Sequence, residues 1–465
     1  MKGYLFHTDD DRREMLRSIG AESIDEIIDD QVPKALQMQR PLDLPTAADE
    51  MSLEGELRSL AAKNCSVSSH VCFMGGGAYD HFVPAVVDEI ASRGEYYTSY
   101  TPYQAEVSQG NLQVMFEYET MVAQISGLDV SNASLYDGGS AATEAVLMAL
   151  ASVRKRNKVI TSDAVHPQYL DILRSYLVGI DAELVVVESG DTGTSEAIMD
   201  AIDESTACVL IQHPNFFGRL EDVKRIADVA HERGALVIQS FDPISVGLLK
   251  RPGDLGVDIA VAEGQCLGNP LAYGGPYLGI IACRAELMRR MPGRIAGQTT
   301  DRRGNRCWVL TLQTREQHIR REKATSNICS NQTLLALRAT VYLSLLGPQG
   351  LKETAEHCVV KANMARDRFA ASERFEVVHS GPVFKEFLVR DREGDVIGLM
   401  KQAAEHGFLA GVPVSDVSET ACGGRYDDCF LVAVTEKRTE AEMNRLMEVL
   451  GSASTVGSAQ LAQTV

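Results

Sequence analysis

The sequence has no surplus of basic charge, no long apolar run, no paired cysteines and no internal repeat, and each absence removes a class of function. Lys and Arg number 45 against 64 Asp and Glu, a formal net charge of −19. Binding along a nucleic-acid backbone needs a basic face, so no nucleic-acid partner is expected. Apolar runs such as 184–187 and 280–282 fall far short of the ~20 residues that cross a bilayer, so no membrane span is expected. The N-terminal stretch MKGYLFHTDDDRREML lacks the apolar core of a secretory signal. The ten cysteines sit singly, without a C-x-x-C pair. That pattern speaks against a zinc knuckle or a thioredoxin motif, and no metal site is expected. Scattered single thiols read as small buried hydrophobes in a reducing, cytoplasmic compartment.

What is present is an ordinary globular composition, 45% hydrophobic and 23% charged over 465 residues. That length implies more than one domain. Residues 1–70 read as an arm of short amphipathic helices over 10–19, 24–30 and 52–62, too small for a core of its own. From residue 71 the texture changes. Helical stretches at 84–92, 111–127, 143–155 and 221–233 alternate with β-branched runs at 158–161, 183–187, 207–212, 235–240, 259–262 and 278–282. Strand, helix, strand at this spacing predicts βαβ units and a mainly parallel sheet, a large α/β domain over 71–330. Helices over 331–346, broken by Gly347-Pro348, and over 351–371 lead to a small α+β domain within 331–451. The small, polar tail 452–465 is expected to fray.

Several segments offer chemistry. Asp137-Gly138-Gly139-Ser140 opens a helix, and its free N–H groups form either an anion seat or a capped turn. Asp242 and His166 each follow a predicted strand, at the edge where open α/β sheets bind ligands; a turn-forming Asp before Pro243 and a structural His are the plain alternatives. Cys266 reads as a nucleophile or, more blandly, a buried thiol. The stretch from Tyr96 to Glu106, with Tyr100, Tyr103 and Gln104, suits a small polar substrate or an interface. Arg315, Arg320, Arg321 and Lys323 form a basic run before Thr325 and Asn327, either solvated or phosphate-binding.

The stretches SYTPYQAEVSQGNLQVMFEYET, ASLYDGGSAATEA, GNPLAYGGPYLG and LQTREQHIRREKATSNIC together resemble the P-protein (glycine decarboxylase) family of the glycine cleavage system. The match is to the first subunit of its split form and runs to about residue 450. The resemblance implies the type I fold of pyridoxal-phosphate (PLP) enzymes: a large domain with a seven-stranded sheet, a smaller C-terminal domain, and an obligate second subunit of the same fold. It implies decarboxylation of glycine with PLP as electron sink, and transfer of the aminomethyl group to the lipoyl arm of the H-protein. The T-protein and dihydrolipoyl dehydrogenase are implied as functional partners.

One position departs from the family pattern. Counting back from Pro270, the place of the Schiff-base lysine is held by Gln265, and no Lys occurs anywhere over 261–277. Gln cannot form an imine. The resemblance, corrected by this residue, implies that PLP is held by the partner subunit and not covalently by this chain. Ser140, His166, Asp242 and Gln265 are then a pocket remnant. Thr325 matches the position from which related dimers reach the neighbour's cofactor phosphate, with Asn327 beside it. Two rival readings remain: a non-catalytic scaffold that docks the H-protein, and a self-sufficient PLP decarboxylase or lyase, which Gln265 opposes.

Overall fold

The computed structural model describes residues 6–153, 155–190, 193–417 and 421–451; the tail expected to fray lies outside them. The chain divides into two compact units, Met1–Asn64 and Cys65–Val465.

The first unit consists of helices whose ends are satisfied locally. Thr8 caps Asp9–Ile19 in a reciprocal capping box with Asp11, and Gly20 closes it in the left-handed conformation. Ser23 caps Ile24–Gln31, and Asp49 caps Glu50–Ala61. None of the three helices buries a residue.

The second unit is organised by a seven-stranded sheet. Its strands are β1 (Val130–Ser131), β2 (Lys158–Ser162), β3 (Glu183–Val187), β4 (Thr206–His213), β5 (Leu236–Phe241), β6 (Ile259–Glu263) and β7 (Gly279–Cys283). Their order is β1-β7-β6-β5-β4-β2-β3. Strands β2 to β6 run parallel; β7 is antiparallel to both β6 and β1. The central strands β4, β5 and β6 are buried along almost their whole length, as happens when helices cover both faces. On one face the core gathers Leu210, Ile238, Ile259 and Val261 under helix α1 (Gly138–Ser152). On the other, Phe241, Ala260 and Ala262 meet Ala336 and Tyr342 of α2 (Thr333–Ala370).

The α2 span is two helical segments that meet at Gly347 (φ 58°, ψ −174°) before Pro348, at the break the sequence predicts. It begins at Thr333, not 331, and no side chain caps its start. The small sheet follows, with β8 (Phe375–Val377), β9 (Glu386–Asp391), β10 (Val412–Pro413) and β11 (Cys429–Ala433) in antiparallel order β8-β9-β11-β10. Val71–Cys72 pairs in parallel with Phe408–Leu409, so the segment expected to open the large domain runs alongside the small one. A hairpin, Ile295–Thr300 with Arg306–Thr311, adds a two-stranded sheet to which the sequence analysis assigns no element; its strands are only partly buried. Among the described residues no helix is long and apolar enough to cross a membrane.

Candidate functional site

The C-terminal ends of the parallel strands gather the candidate residues. His166 stands four residues past β2, Asp242 directly follows β5, Glu263 ends β6, and Gln265 lies two residues on. Ser140 lies in the first turn of α1. Facing this edge are Lys385 and Glu386 at the start of β9, and the loop from Gly75 to His81. His166 and Asp242 line one central cavity, together with Tyr79, Glu263, Lys385 and Glu386.

A cofactor such as PLP makes four demands: an amine for its aldehyde, a carboxylate for its pyridinium nitrogen, a ring against its face and donors for its phosphate. Each corresponding group here already has a partner within the chain. Gln265 is 1% exposed. Its Oε1 accepts from the backbone N–H of Tyr79 at 2.8 Å, and its Nε2 donates to the carbonyls of Tyr79 at 3.1 Å and Asn269 at 2.8 Å. Asp242 forms an ion pair with Lys385, Oδ2 to Nζ at 2.5 Å. The Lys385 side chain is 2% exposed, and its ammonium also lies 3.6 Å from the centre of the Tyr79 ring. Burial opposes its charge most strongly, but the Asp242 carboxylate and its hydrogen bond, with the nearby Cys266 and Cys358 sulfurs, together hold the lysine above its ordinary pKa.

The ring and the anion seat are likewise occupied. His166 stacks on Tyr169, with centroids 4.6 Å apart and planes at 15°. Its Nδ1 accepts from the Gln168 N–H, so Nε2 carries the proton and donates to the Gly76 carbonyl at 2.7 Å. Burial depresses its pKa to about 4, which keeps it neutral. At the start of α1, Asp137 accepts from Ser140 N–H at 2.7 Å and Glu263 Oε2 accepts from Gly138 N–H at 2.9 Å. Glu263 Oε1 takes the N–H groups of Gln265 and Leu278 at 2.9 and 3.0 Å. Burial raises Glu263 to about 7 despite these three donors. A Cβ at Gly138 would stand 2.3 Å from Tyr169 Oη, so the helix start approaches its neighbours too closely for any larger residue.

The space left agrees with the bonding. The central cavity measures about 50 Å³, about a third of the roughly 150 Å³ of an apolar cavity known to take a benzene ring. An adjoining cavity of about 380 Å³ shares His166, Tyr169 and Glu263 with it. Among the described residues no Lys or Arg lines that outer space, while Asp137 and Glu263 do; a phosphate dianion there would meet carboxylates. The residues present therefore do not fit PLP in this chain.

Behind Lys385 the polar chain continues. His81 Nε2 lies 3.1 Å from Lys385 Nζ, and its Nδ1 lies 2.7 Å from Glu436 Oε2. An ammonium only donates, so Nε2 accepts and Nδ1–H donates to Glu436. Burial pushes the Glu436 carboxyl up, but His81 and the Phe82 N–H pull it down to about 2. Glu386 accepts from the Gly76 N–H and Tyr79 Oη at 2.7 and 2.9 Å, and burial lifts it to about 7. Ligand atoms of His81, Cys358 and Glu436 lie within 4.8 Å of one another. Both His81 nitrogens are already engaged, and the Lys385 charge beside them opposes a cation.

Of the other predicted residues, Cys266 lines the central cavity, and the rest are not among its lining residues. Thr325 and Asn327 are exposed in the loop before α2. Within that loop Ser326 accepts from the Ile328 N–H, and α2 starts only at Thr333. Tyr100 and Tyr103 are 75% and 82% exposed, and Gln104 is exposed too. Cys266 is buried, and burial drives its thiol well above the ordinary value, which removes it as a nucleophile. Arg315 is not part of a solvated run: it donates to the carbonyls of Met291, Gly293 and Leu312.

Sequence reasoning missed Lys385, Tyr79 and Glu386 and assigned Glu263 no role. One signal was available: Lys385-Glu386 interrupts the apolar run from Val383 to Val389, and a charged pair inside a buried strand needs partners.

Known proteins resemble the chain as follows. The family model for the glycine cleavage system P-protein matches residues 2–450. A probable glycine dehydrogenase (decarboxylating) subunit 1 of Carboxydothermus hydrogenoformans is 50% identical over 450 residues, covering 96% of this chain and 99% of that one. A crystal structure of glycine decarboxylase (P-protein), in inhibitor-bound form, superimposes with a TM-score of 0.89 at 40% identity, over 97% of this chain and 99% of that one. A sphingosine-1-phosphate lyase of Burkholderia pseudomallei shares the fold at 16% identity, with a TM-score of 0.63 over 91% and 94% of the two chains. The sheet order, the matching of almost the whole chain and these likenesses agree: the chain belongs to the glycine cleavage system P-protein family.

Proposed function

We propose that this chain is the first subunit of a two-subunit glycine decarboxylase, and that the second subunit carries the PLP. The assembled enzyme decarboxylates glycine and passes the aminomethyl group to the lipoyl arm of the H-protein. PLP on the partner supplies the electron sink. The T-protein and dihydrolipoyl dehydrogenase act with it in the same cytoplasmic system. The observation that carries this reading is the Gln265 amide, buried and engaged by Tyr79 and Asn269, at the position the family resemblance assigns to the imine lysine.

In this reading Ser140, His166, Asp242 and Gln265 are a remnant that binds no cofactor. Thr325 and Asn327, and the loop of Tyr100, Tyr103 and Gln104, face the partner and complete its site; their exposure in the single chain supports this.

The test is co-expression with the second subunit, followed by exchange of the glycine carboxyl with bicarbonate. Borohydride reduction and peptide mapping then locate the cofactor. The expected result is exchange activity in the complex, visible PLP absorbance in the complex but not in this chain alone, and the reduced pyridoxyl group on the partner. A pyridoxyl-lysine in this chain overturns the assignment. A complex that binds H-protein but exchanges nothing favours the docking scaffold.

A further inference from the structure

We infer that the cofactor-type pocket of this chain is self-liganded: Lys385 and Glu263 occupy its two electrostatic seats, so supplying an amine at position 265 does not by itself open it to PLP. The inference rests on the proposed assignment of PLP to the partner. It goes further in naming what closes the pocket.

Two seats matter, because a pyridine phosphate is charged at both ends. The carboxylate that would face a pyridinium nitrogen is Asp242, and the Lys385 ammonium sits 2.5 Å from it. A second cation cannot join that pair without displacing the first. The donors that would hold a phosphate are the N–H groups where α1 begins. There the Glu263 carboxylate gathers the N–H groups of Gly138, Gln265 and Leu278 from three separate segments. The chain thus provides its own cation at one seat and its own anion at the other.

Both groups also hold the site together. Lys385 immediately precedes β9 of the small domain and Asp242 directly follows β5 of the large one, so their pair fastens one sheet to the other. Glu263 ties the end of β6 to the start of α1 and to the residue before β7. Filling the seats internally satisfies buried polar groups that would otherwise need a ligand. This explains how a PLP-type fold keeps Asp242 and the glycine-rich helix start without a cofactor.

The experiment uses the two-subunit complex after borohydride reduction, which fixes the partner's PLP and blocks that site. Deoxypyridoxine phosphate, which has no aldehyde and needs no lysine, is then titrated by fluorescence. The unmodified complex is expected to bind no further equivalent. A complex with Lys385→Ala and Glu263→Ala together is expected to bind one more equivalent, and each single variant much less. In parallel, Gln265→Lys alone is expected to gain no reducible PLP in this chain.

Binding to the unmodified chain overturns the inference, as does a folded double variant that binds nothing, or PLP capture by Gln265→Lys alone. If the double variant does not assemble, the unmodified titration and the Gln265→Lys chain still decide. Failure of the underlying assignment looks different: borohydride would then leave its label on this chain, or leave none on the partner.

Discussion

The side-chain amide of Gln265 pairs with both backbone groups of Tyr79, accepting from its N–H at 2.8 Å and donating to its carbonyl at 3.1 Å. A primary amide offers a donor and an acceptor side by side; a lysine offers only donors. Gln265→Leu leaves the Tyr79 N–H and the Asn269 carbonyl without their partner, while the Tyr79 carbonyl keeps the His81 N–H. It is expected to cost about 1–3 kcal/mol, read as a lower denaturant midpoint, with the partner's cofactor absorbance unchanged in the complex.

Lys385→Met leaves Asp242 without its cation in a buried setting. Breaking such a pair from one side costs about 3–5 kcal/mol. Adding Asp242→Asn removes the orphaned charge and keeps an acceptor for the Ile244 N–H. The double variant is expected to recover part of the loss, with a coupling of about 1–3 kcal/mol in a double-mutant cycle of urea unfolding. Purely additive losses would mean that the pair contributes nothing of its own.

Glu386 makes stability depend on pH. Its carboxyl titrates near 4.5 when unfolded and at about 7 in the fold, raised by burial. Below pH 4.5 both states hold the proton and the contribution is fully present. Between 4.5 and 7 the native state keeps a proton that the unfolded chain has lost, so the contribution declines as pH rises. Glu386→Gln, which cannot ionise, is expected to gain on the wild type across that window, by on the order of 1–3 kcal/mol. Urea unfolding at stepped pH measures it, and a constant difference between the two proteins would refute it.

His166 acts in the opposite sense. Its pKa falls from 6.5 to about 4 because burial disfavours the imidazolium. Its contribution is complete above pH 6.5 and lost as pH falls toward 4. His166→Asn is expected to flatten the acid limb of the stability profile in the same measurement.

Thr325→Ala tests the reach toward the partner. One lost hydrogen bond to a charged group costs about 1.5–3 kcal/mol, which at ~1.4 kcal/mol per decade is a roughly ten- to hundredfold weaker retention of PLP by the complex. The fold of this chain is expected to be unaffected, since Thr325 is exposed. Equal PLP affinities would remove Thr325 from the partner's site.

Deleting residues 1–63 tests the arm. Its helices bury nothing, and Leu36, Leu44 and Met51 are 76%, 71% and 80% exposed. Apolar surface of that extent marks an interaction site. The truncated chain is expected not to assemble with the second subunit on a sizing column; a normal heteromeric complex would show that the arm serves something else.

The sequence by itself determined the alternation of helices with β-branched strands, the break at Gly347-Pro348, the family, and an amide rather than an amine at position 265. These are legible because periodicity, helix-ending residues and a residue's own chemistry are local properties. Only the tertiary structure decided which groups meet in the central cavity. Lys385 lies more than a hundred residues from Asp242 and from Gln265 in the chain, and nothing in its neighbourhood says which carboxylate it meets. The edge of the large sheet and the start of a strand in the small one had to be brought together before that pairing existed. The same holds for Tyr79, whose backbone finds the Gln265 amide 186 residues away in the chain. Buried polar groups take whatever partner the fold places within reach, and reach between distant segments is a property of the folded chain.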